Sequence, residues 1–376
     1  MKKNIKFVDL FAGCGGLSLG LEQSGFDPIF ASDINESLFI TYIKNRKLPE
    51  SSIFLGDVNI LVRDIDNYKK NLTGVDLVCG GPPCQGFSSA NRQRIVDDPR
   101  NNLYKAYLDF LSILKPKIFL MENVKGMMNK IDEILDNFST YLGNDYDIAF
   151  SILNAKHYGV PQNRERFFLI GNRLGISSER IFERIKAKKY REFVLNDALK
   201  GLPILKEKKQ KNNNSLENLD IGFFERDFQY EETEFYKFIN DGRIIKKIYN
   251  HKNRYNNPRD IEIYKRLPQG ANSLHESISD IMPYKRRNGI FKDKYFKLDP
   301  QKVCRTITSH MKFDCNMYIH PFEPRGLSPR EAARIQTFPD DYVFFGSQNT
   351  WYAQIGNAVP VKLAKAIGDE LICLLK

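Results

Sequence analysis

The sequence predicts an α/β protein: a doubly wound, mostly parallel sheet with a smaller irregular domain inserted into it. Three features carry that prediction. Over the first 170 residues, short β-rich runs alternate with stretches of helical period, as strands joined by crossover helices do. From about residue 180 to 325 no clean period holds. Helical patterning then returns in two closing segments. The expected domains are 1–180, 181–325 and 326–376, with the last completing the first.

Taken in order, the strands are "IKFVDLF", "PIFASD", "VDLVCG", "KIFLMENV" and "RFFLIG", each short and rich in β-branched or aromatic residues. Between them "LYKAYLDFLSILK" repeats its apolar residues at helical spacing. The segment "KEKKQKNNNS" (206–215) is a polar loop. "LSPREAARIQ" starts a helix with its own cap: Ser328 at the N-cap, Pro329 at the first helical position and Glu331 three residues on form a capping box. In "PVKLAKAIGDELICLL" an amphipathic helix turns Val361, Leu363, Ala364, Ile367 and Leu371 toward a core. It is expected to pack back on the first domain, which makes the irregular domain an insertion.

Composition limits the function classes. Six cysteines stand at 14, 79, 84, 304, 315 and 373 with no CxxC pair, and the five histidines are scattered. A structural zinc site therefore has little support, and a chain of 376 residues this poor in cysteine is not a disulfide scaffold. No 18-residue apolar span occurs, so neither a signal peptide nor a membrane helix is expected, and the reading is of a reduced, cytoplasmic protein. The net charge of +11 suits a polyanionic partner. Residues 241–297 concentrate it, with 14 Lys/Arg against 6 Asp/Glu. Tyr249, Tyr255, Tyr264, Tyr284, Phe291, Tyr295 and Phe296 thread through that stretch. A nucleic-acid surface and a plain solvated face both fit it.

In open α/β sheets ligands bind outside the carboxyl ends of the strands. Reading each strand to its end collects a glycine turn in "DLFAGCGG", Asp33 in "ASDIN", the loop holding Cys84 after "VDLVCG", and Glu122 at the end of "IFLMENV". The turn, with Asp33 twenty residues beyond Gly13, suits an adenosine-like ligand whose ribose hydroxyls meet the acid. A merely tight strand–helix turn fits as well. A pyrophosphate fingerprint starting at Gly13 would need its third glycine at position 18, where Ser18 stands, and this disfavours a nicotinamide oxidoreductase.

Packing explains Cys79, inside an apolar strand, and Cys373, in the last helix. It explains Cys84 poorly. "GGPPCQGFSSA" is an irregular loop that presents its thiol, as a nucleophile requires. Glu122 is either a helix cap or a general acid facing the same rim. In "VPQNRERFFLIG" the residues Gln162, Arg164 and Arg166 alternate along an extended segment and so share a face. Surface arginines are the plain alternative to an anion site or a carboxylate clamp.

Together these stretches resemble the DNA (cytosine-5) methyltransferases. The likeness runs along the chain in the family's order: "FVDLFAGCGGLSLGLEQSGF", "GGPPCQGFSSA", "MENVKG", "VPQNRERFFLIG", "LSPREAARIQTFPDDY" and "QIGNAVP". The resemblance implies the class I S-adenosylmethionine-dependent methyltransferase fold. It implies S-adenosylmethionine as cofactor, S-adenosylhomocysteine as product, no metal, and a cytosine flipped out of double-stranded DNA as substrate. Family cofactor contacts fall on Phe11, Gly13, Gly15, Asp33, Ile34, Asp57, Val58, Pro83, Leu103 and Asn357. Cys84 matches the nucleophile that adds to C6 of cytosine, and Glu122 the acid that holds its N3 edge and exocyclic amine. Arg166 with Arg164 matches the pair beside the base and its phosphate. Thr308 in "RTITSH" matches a threonine near the target phosphate, although its flanks differ from the family's. Gln85 and Ser88, in the Cys84 loop, are carried over as DNA contacts.

The irregular stretch falls where the family holds its target-recognition region, between catalytic and cofactor-binding segments. From chemistry alone Arg254, Arg259, Arg286 and Arg287 are base-reading candidates, since a guanidinium grips guanine O6 and N7. Phosphate contact and plain solvation are equally open for each. The resemblance further implies a monomeric, stand-alone modification enzyme of a bacterial restriction system, acting in the cytosol beside a cognate endonuclease. The alternatives are an RNA cytosine-5 methyltransferase of similar architecture and a catalytically inactive DNA-binding relative.

Overall fold

All five apolar runs form strands, and two further strands join them in one sheet. The structure is a computed structural model that describes residues 4–83, 103–211, 220–283 and 293–376. The first stretch of chain gives β1 (Ile5–Leu10), α1 (Gly16–Ser24), β2 (Phe26–Asp33), α2 (Glu36–Lys44), β3 (Ile53–Leu55), α3 (Val58–Arg63), α4 (Lys69–Leu72) and β4 (Leu77–Gly80). There follow α5 (Leu103–Leu114), β5 (Ile118–Val124), α6 (Ile131–Leu142), β6 (Asp147–Asn154), β7 (Glu165–Asn172) and α7 (Ser178–Ala187). The sheet order is β3-β2-β1-β4-β5-β7-β6. Each described pairing is parallel except those of β7, which runs against both β5 and β6.

The central strands are buried on both faces, which is why they read as near-continuous apolar runs. Asp9 is the exception, a carboxyl buried within β1. The Ser18 hydroxyl donates to its Oδ2, and Tyr42 Oη lies 3.1 Å from Ser18 Oγ. Burial pushes the Asp9 pKa up to about 7, against the opposing pull of that hydrogen bond and of the Arg46 charge.

By packing density the chain divides into two units, one of residues 1–158, 164–191 and 359–376, the other of 159–163 and 192–358. The first contains the seven-stranded sheet. The second contains α8 (Leu195–Leu199), β8 (Gly222–Asp227), α9 (Glu234–Ile239), β9 (Lys247–Lys252), α10 (Pro258–Arg266), α11 (Pro329–Ile335) and α12 (Gln348–Asn357). The last helix, α13 (Val361–Leu371), returns to the first unit and packs on α1 and α7. The return is narrower than the expected 326–376. Helix α11 carries the capping box read from the sequence, but all seven of its residues are buried among second-unit elements, including β9 and α8.

Helix α13 lies close against α1 because small residues face each other. A Cβ on Gly20 would lie 2.4 Å from the Ala364 Cβ, and Ser24 Oγ donates to the Lys365 carbonyl at 3.0 Å. Val361, Leu363, Ala364, Ile367 and Leu371 are buried, as their spacing predicts. Cys373 is not: the helix ends before it, and it stands exposed with its thiol directed at the Asp369 carbonyl, so packing does not account for it. None of the five described cysteines is in a disulfide. No helix among the described residues is long and apolar enough to cross a membrane.

Asp9 makes folding depend on pH. Its folded value of about 7 stands above the ordinary 3.8, so the folded chain keeps a proton that the unfolded chain releases. This contribution to stability is complete at pH values below the ordinary carboxyl range and is lost as pH rises to about 7. Asp9→Asn keeps an acceptor for Ser18 and is expected to flatten that decline. Urea midpoints at about pH 4.5 and about pH 7.5 test it; an equal fall in both proteins counts against the assignment.

Candidate active site

The carboxyl end of β1 leads into a turn with three left-handed residues, Phe11 (φ 60°), Gly13 (φ 55°) and Gly15 (φ 85°). A Cβ on Gly13 would meet nothing within 4 Å, so one face of the turn is open to a ligand. The Gly13 N–H donates to Asp33 Oδ2 at 2.8 Å, and Asn35 N–H donates to Oδ1 at 2.7 Å. Asp33 closes β2, and burial raises its pKa against the pull of those N–H groups. Beside it Ile34 is 68% exposed, an apolar side chain with nothing of the protein over most of it. The next strand end follows the same pattern: Gly56 N–H donates to the Asp33 carbonyl, and Asp57 caps α3 by accepting from Asn59 N–H at 2.9 Å. Val58 is buried. Three adjacent strand ends thus bring Phe11, Gly13, Gly15, Asp33, Ile34 and Asp57 to one rim.

Glu122 sits near the carboxyl end of β5. In the β5–β7 register Glu122 faces Phe168 and Val124 faces Arg166, so Glu122 and Arg166 are diagonal neighbours on one face of the sheet. Arg166 Nε lies 3.2 Å from Glu122 Oε1, with the two side chains only 15% and 14% exposed. Burial raises the Glu122 pKa, while the charges of Arg166 and then Arg164 pull it down; the net direction is upward. Arg166, itself partly desolvated, also donates through Nη1 to the Glu165 carbonyl at 2.8 Å. Arg164 is fully buried and is not the surface arginine that composition alone would suggest.

Cys84, Gln85, Ser88, Arg286 and Arg287 lie outside the described residues. The chain leading to Cys84 is described as far as Pro83, which is exposed; Leu103, half-buried, opens α5 on the far side. Two contacts fix that approach beside Glu122. Asn123 Nδ2 donates to the Pro82 carbonyl at 2.8 Å, while its Oδ1 accepts from Val124 N–H at 2.9 Å. A Cβ on Gly81 would stand 3.1 Å from Glu122 Oε2. Asn123 is a residue the sequence reading missed. Its only signal was its place in "MENV", directly after the acid.

The second unit holds the remaining candidates. Asn357 ends α12 and is exposed. A Cβ on Gly356 would lie 2.2 Å from the Thr308 and Ser309 backbone, so α12 runs against the Thr308 segment and brings Asn357 and Thr308 together. Thr308 Oγ1 is 3.1 Å from Tyr318 Oη. Gln162 is buried, as Arg164 is, with its Nε2 donating to Gln336 Oε1 at 2.8 Å and its Oε1 accepting from Ile307 N–H at 2.8 Å. Arg254 is also turned inward. Its guanidinium donates to the carbonyls of Met311 (2.6 Å) and Lys312 (3.3 Å) and to Asn349 Oδ1 (3.2 Å), which uses the donors a guanine would need. Arg259 remains exposed on the first turn of α10.

The chain is similar to known proteins along nearly its whole length. The family model for the C-5 cytosine-specific DNA methylase matches residues 5–373. Type II methyltransferase M.DdeI of Desulfomicrobium norvegicum is 32% identical, over 98% of this chain and 88% of its own length. Type II methyltransferase M.Sau96I of Staphylococcus aureus is 31% identical, over 98% of this chain and 76% of its own. A crystal structure described as a prophage-encoded DNA modification methyltransferase from E. coli superposes with a TM-score of 0.76 at 30% identity, covering 99% of each chain. The S. pombe Dnmt2 methyltransferase, at 16% identity, covers 100% of each chain with a TM-score of 0.59 and supports the fold alone. The sheet is that of the class I methyltransferases.

Removing the cation nearest Glu122 tests the electrostatics. In Arg166→Gln the larger of the two charges opposing burial is gone, so the Glu122 carboxyl is expected to titrate at a higher pH than in the parent. Carbon-13 NMR of glutamate-labelled protein, with Glu122→Gln to assign the resonance, reads the midpoint; an unchanged or lower midpoint would rule out this balance of effects.

Proposed function

The chain belongs to the C-5 cytosine-specific DNA methylase family, and from that premise we propose that it transfers a methyl group to C5 of a cytosine flipped out of a specific duplex site, with Cys84 as nucleophile. The observation that carries this reading is a half-buried Glu122, its pKa raised by burial, paired with Arg166 and set beside the Pro82–Pro83 approach to Cys84.

A base stacked in a duplex cannot offer C6 to a thiolate, so the cytosine must leave the stack, at a cost of a few kcal/mol. The Cys84 thiolate then forms a bond to C6 and drives the electron pair of the C5–C6 bond through the ring toward N3. There the Glu122 carboxyl gives up its proton, which is why a raised pKa suits it. C5 of the adduct is enamine-like and nucleophilic. S-adenosylmethionine, when bound, supplies an electrophilic methyl group to that carbon. Loss of the C5 proton to a base, expulsion of the Cys84 thiolate and return of the N3 proton to Glu122 restore the ring, so two moderate steps replace one difficult one. Arg166 and Arg164 hold a cation beside the acid and the target phosphate.

The open face of the glycine turn fits the cofactor: Gly13 leaves room for close approach, Asp33 offers acceptors for ribose hydroxyls, and exposed Ile34 offers an apolar face to a base. The chemistry as written needs no metal. The type II relatives support a modification role in a restriction system, and the proposal extends to a cognate endonuclease on the same site, a cytosolic location and a monomeric enzyme. The second unit, with its cationic composition, reads the site, and Thr308 and Arg259 are its described candidates for contact with DNA.

Cys84→Ala is expected to abolish methyl transfer while S-adenosylhomocysteine and DNA still bind, and retained turnover would remove the nucleophile assignment. Duplexes from a library of sites, with 5-fluorocytosine at the target, should trap a cofactor-dependent adduct that survives denaturation, since no proton can leave C5. Mapping 5-methylcytosine in cells that express the chain and lack other methylation supplies the site. If no 5-methylcytosine appears there, the proposed activity fails.

A further inference from the structure

Arg46 lies just past α2 and makes none of the contacts expected of a surface arginine. Its side chain is 4% exposed and runs back beneath the glycine turn. Nε donates to Glu22 Oε1 at 2.6 Å, Nη1 to the Tyr42 carbonyl at 3.3 Å, and Nη2 to the Gly15 carbonyl at 3.2 Å. The guanidinium carbon stands 3.9 Å from the centroid of the Tyr42 ring, a stacked cation–π contact. A Cβ on Gly15 would fall 2.6 Å from Nη1 and 2.8 Å from Tyr42 Cδ2. Gly15 is therefore required twice, by its φ of 85° and by the arginine pressed against it.

The turn thus has a clamped face and an open one. Gly15 caps α1 without a side-chain bond, and its carbonyl accepts from both Leu19 N–H and Arg46. Gly13, two residues earlier, faces open space. From Tyr42 the contact continues through the Ser18 hydroxyl to Asp9, so the clamp is tied to the buried strand from which the turn springs. A lysine could carry the charge to this place but not the fork that reaches Glu22 and Gly15 together.

We propose that Arg46 is a positioning residue for the cofactor: by holding the Gly15 carbonyl it sets the left-handed turn on which an adenosine-type methyl donor rests. The proposal rests on the reading that this turn takes S-adenosylmethionine. It assigns to a residue outside the strand-end set a measurable share of cofactor affinity and none of DNA affinity.

The test is calorimetric binding of S-adenosylhomocysteine to the full chain and to Arg46→Lys, alongside DNA affinity and melting temperature. Arg46→Lys is expected to stay folded, to bind DNA as the parent does, and to lose about tenfold in S-adenosylhomocysteine affinity, the scale of one hydrogen bond to a charged group. In turnover assays the KM for S-adenosylmethionine rises while kcat at saturation changes little, a split that a general loss of folded protein would not give. Glu22→Gln leaves the Arg46 fork in place and is expected to weaken affinity less than Arg46→Lys. A folded Arg46→Lys that binds S-adenosylhomocysteine as tightly as the parent overturns the positioning role alone. A parent chain that fails to bind S-adenosylhomocysteine overturns the cofactor reading, and the proposal with it.

Discussion

The site depends on one reversed strand. In a sheet of parallel strands every carboxyl end meets the same rim, and residues at amino ends lie at the other. Strand β7 runs against its neighbours, so its beginning, not its end, reaches the rim where β1, β2, β4 and β5 finish. That reversal sets Arg166, second residue of β7, diagonally across from Glu122 near the end of β5. With β7 parallel, the arginine would lie a strand's length from the acid. Pairing the two charges where both are partly desolvated is a property of topology before it is one of side chains.

The second unit solves a different problem with the same residue type. It has little regular ladder, so many of its carbonyls need partners from elsewhere. Buried arginines supply them. Arg330 donates to the carbonyls of Tyr249 (2.7 Å), Pro339 (3.1 Å) and Tyr342 (2.7 Å). Arg334 grips both Asp340 oxygens and reaches the carbonyls of Ala198 and Lys200. Arg325 forms a fork on Glu331, whose Oε2 also accepts from Ser328 N–H in the capping box. Burying such charges is costly unless they are fully bonded, and here most of the donor fork is engaged. Part of the chain's basic excess therefore serves as internal scaffolding and is not available to a polyanion.

This explains what was legible in the sequence. Strands β1, β2, β4, β5 and β7 announce themselves as apolar runs because the sheet's centre is covered on both faces. Strand β3 has three residues, too few for a period, and β6 is an edge strand with one face half-exposed, which blurs its pattern. In the second unit β8 and β9 are short and polar, "GFFERD" and "KIYNHK". At the site, Asp33 and Glu122 were visible because an acid at the end of an apolar strand breaks a pattern. Asn123 and Arg46 were not, because each works on a backbone carbonyl, which no side-chain pattern reports. Arg254 shows the converse failure, since composition cannot distinguish an arginine facing solvent from one spent on Met311 and Lys312.

The balance at Glu122 has a consequence for any anionic partner. Two effects compete on that carboxyl: burial favours the neutral form, and the neighbouring arginines favour the ionised one. The net direction is upward, and drawing the arginine charge elsewhere moves it further up. An anion approaching Arg166 does this, because it shares the guanidinium and weakens the attraction that Glu122 feels. Under the mechanism proposed above, a DNA phosphate settling beside Arg166 therefore raises the proton affinity of the acid as the target base arrives. Substrate binding and protonation of the acid then reinforce each other, and the arginine links them while giving up no proton itself.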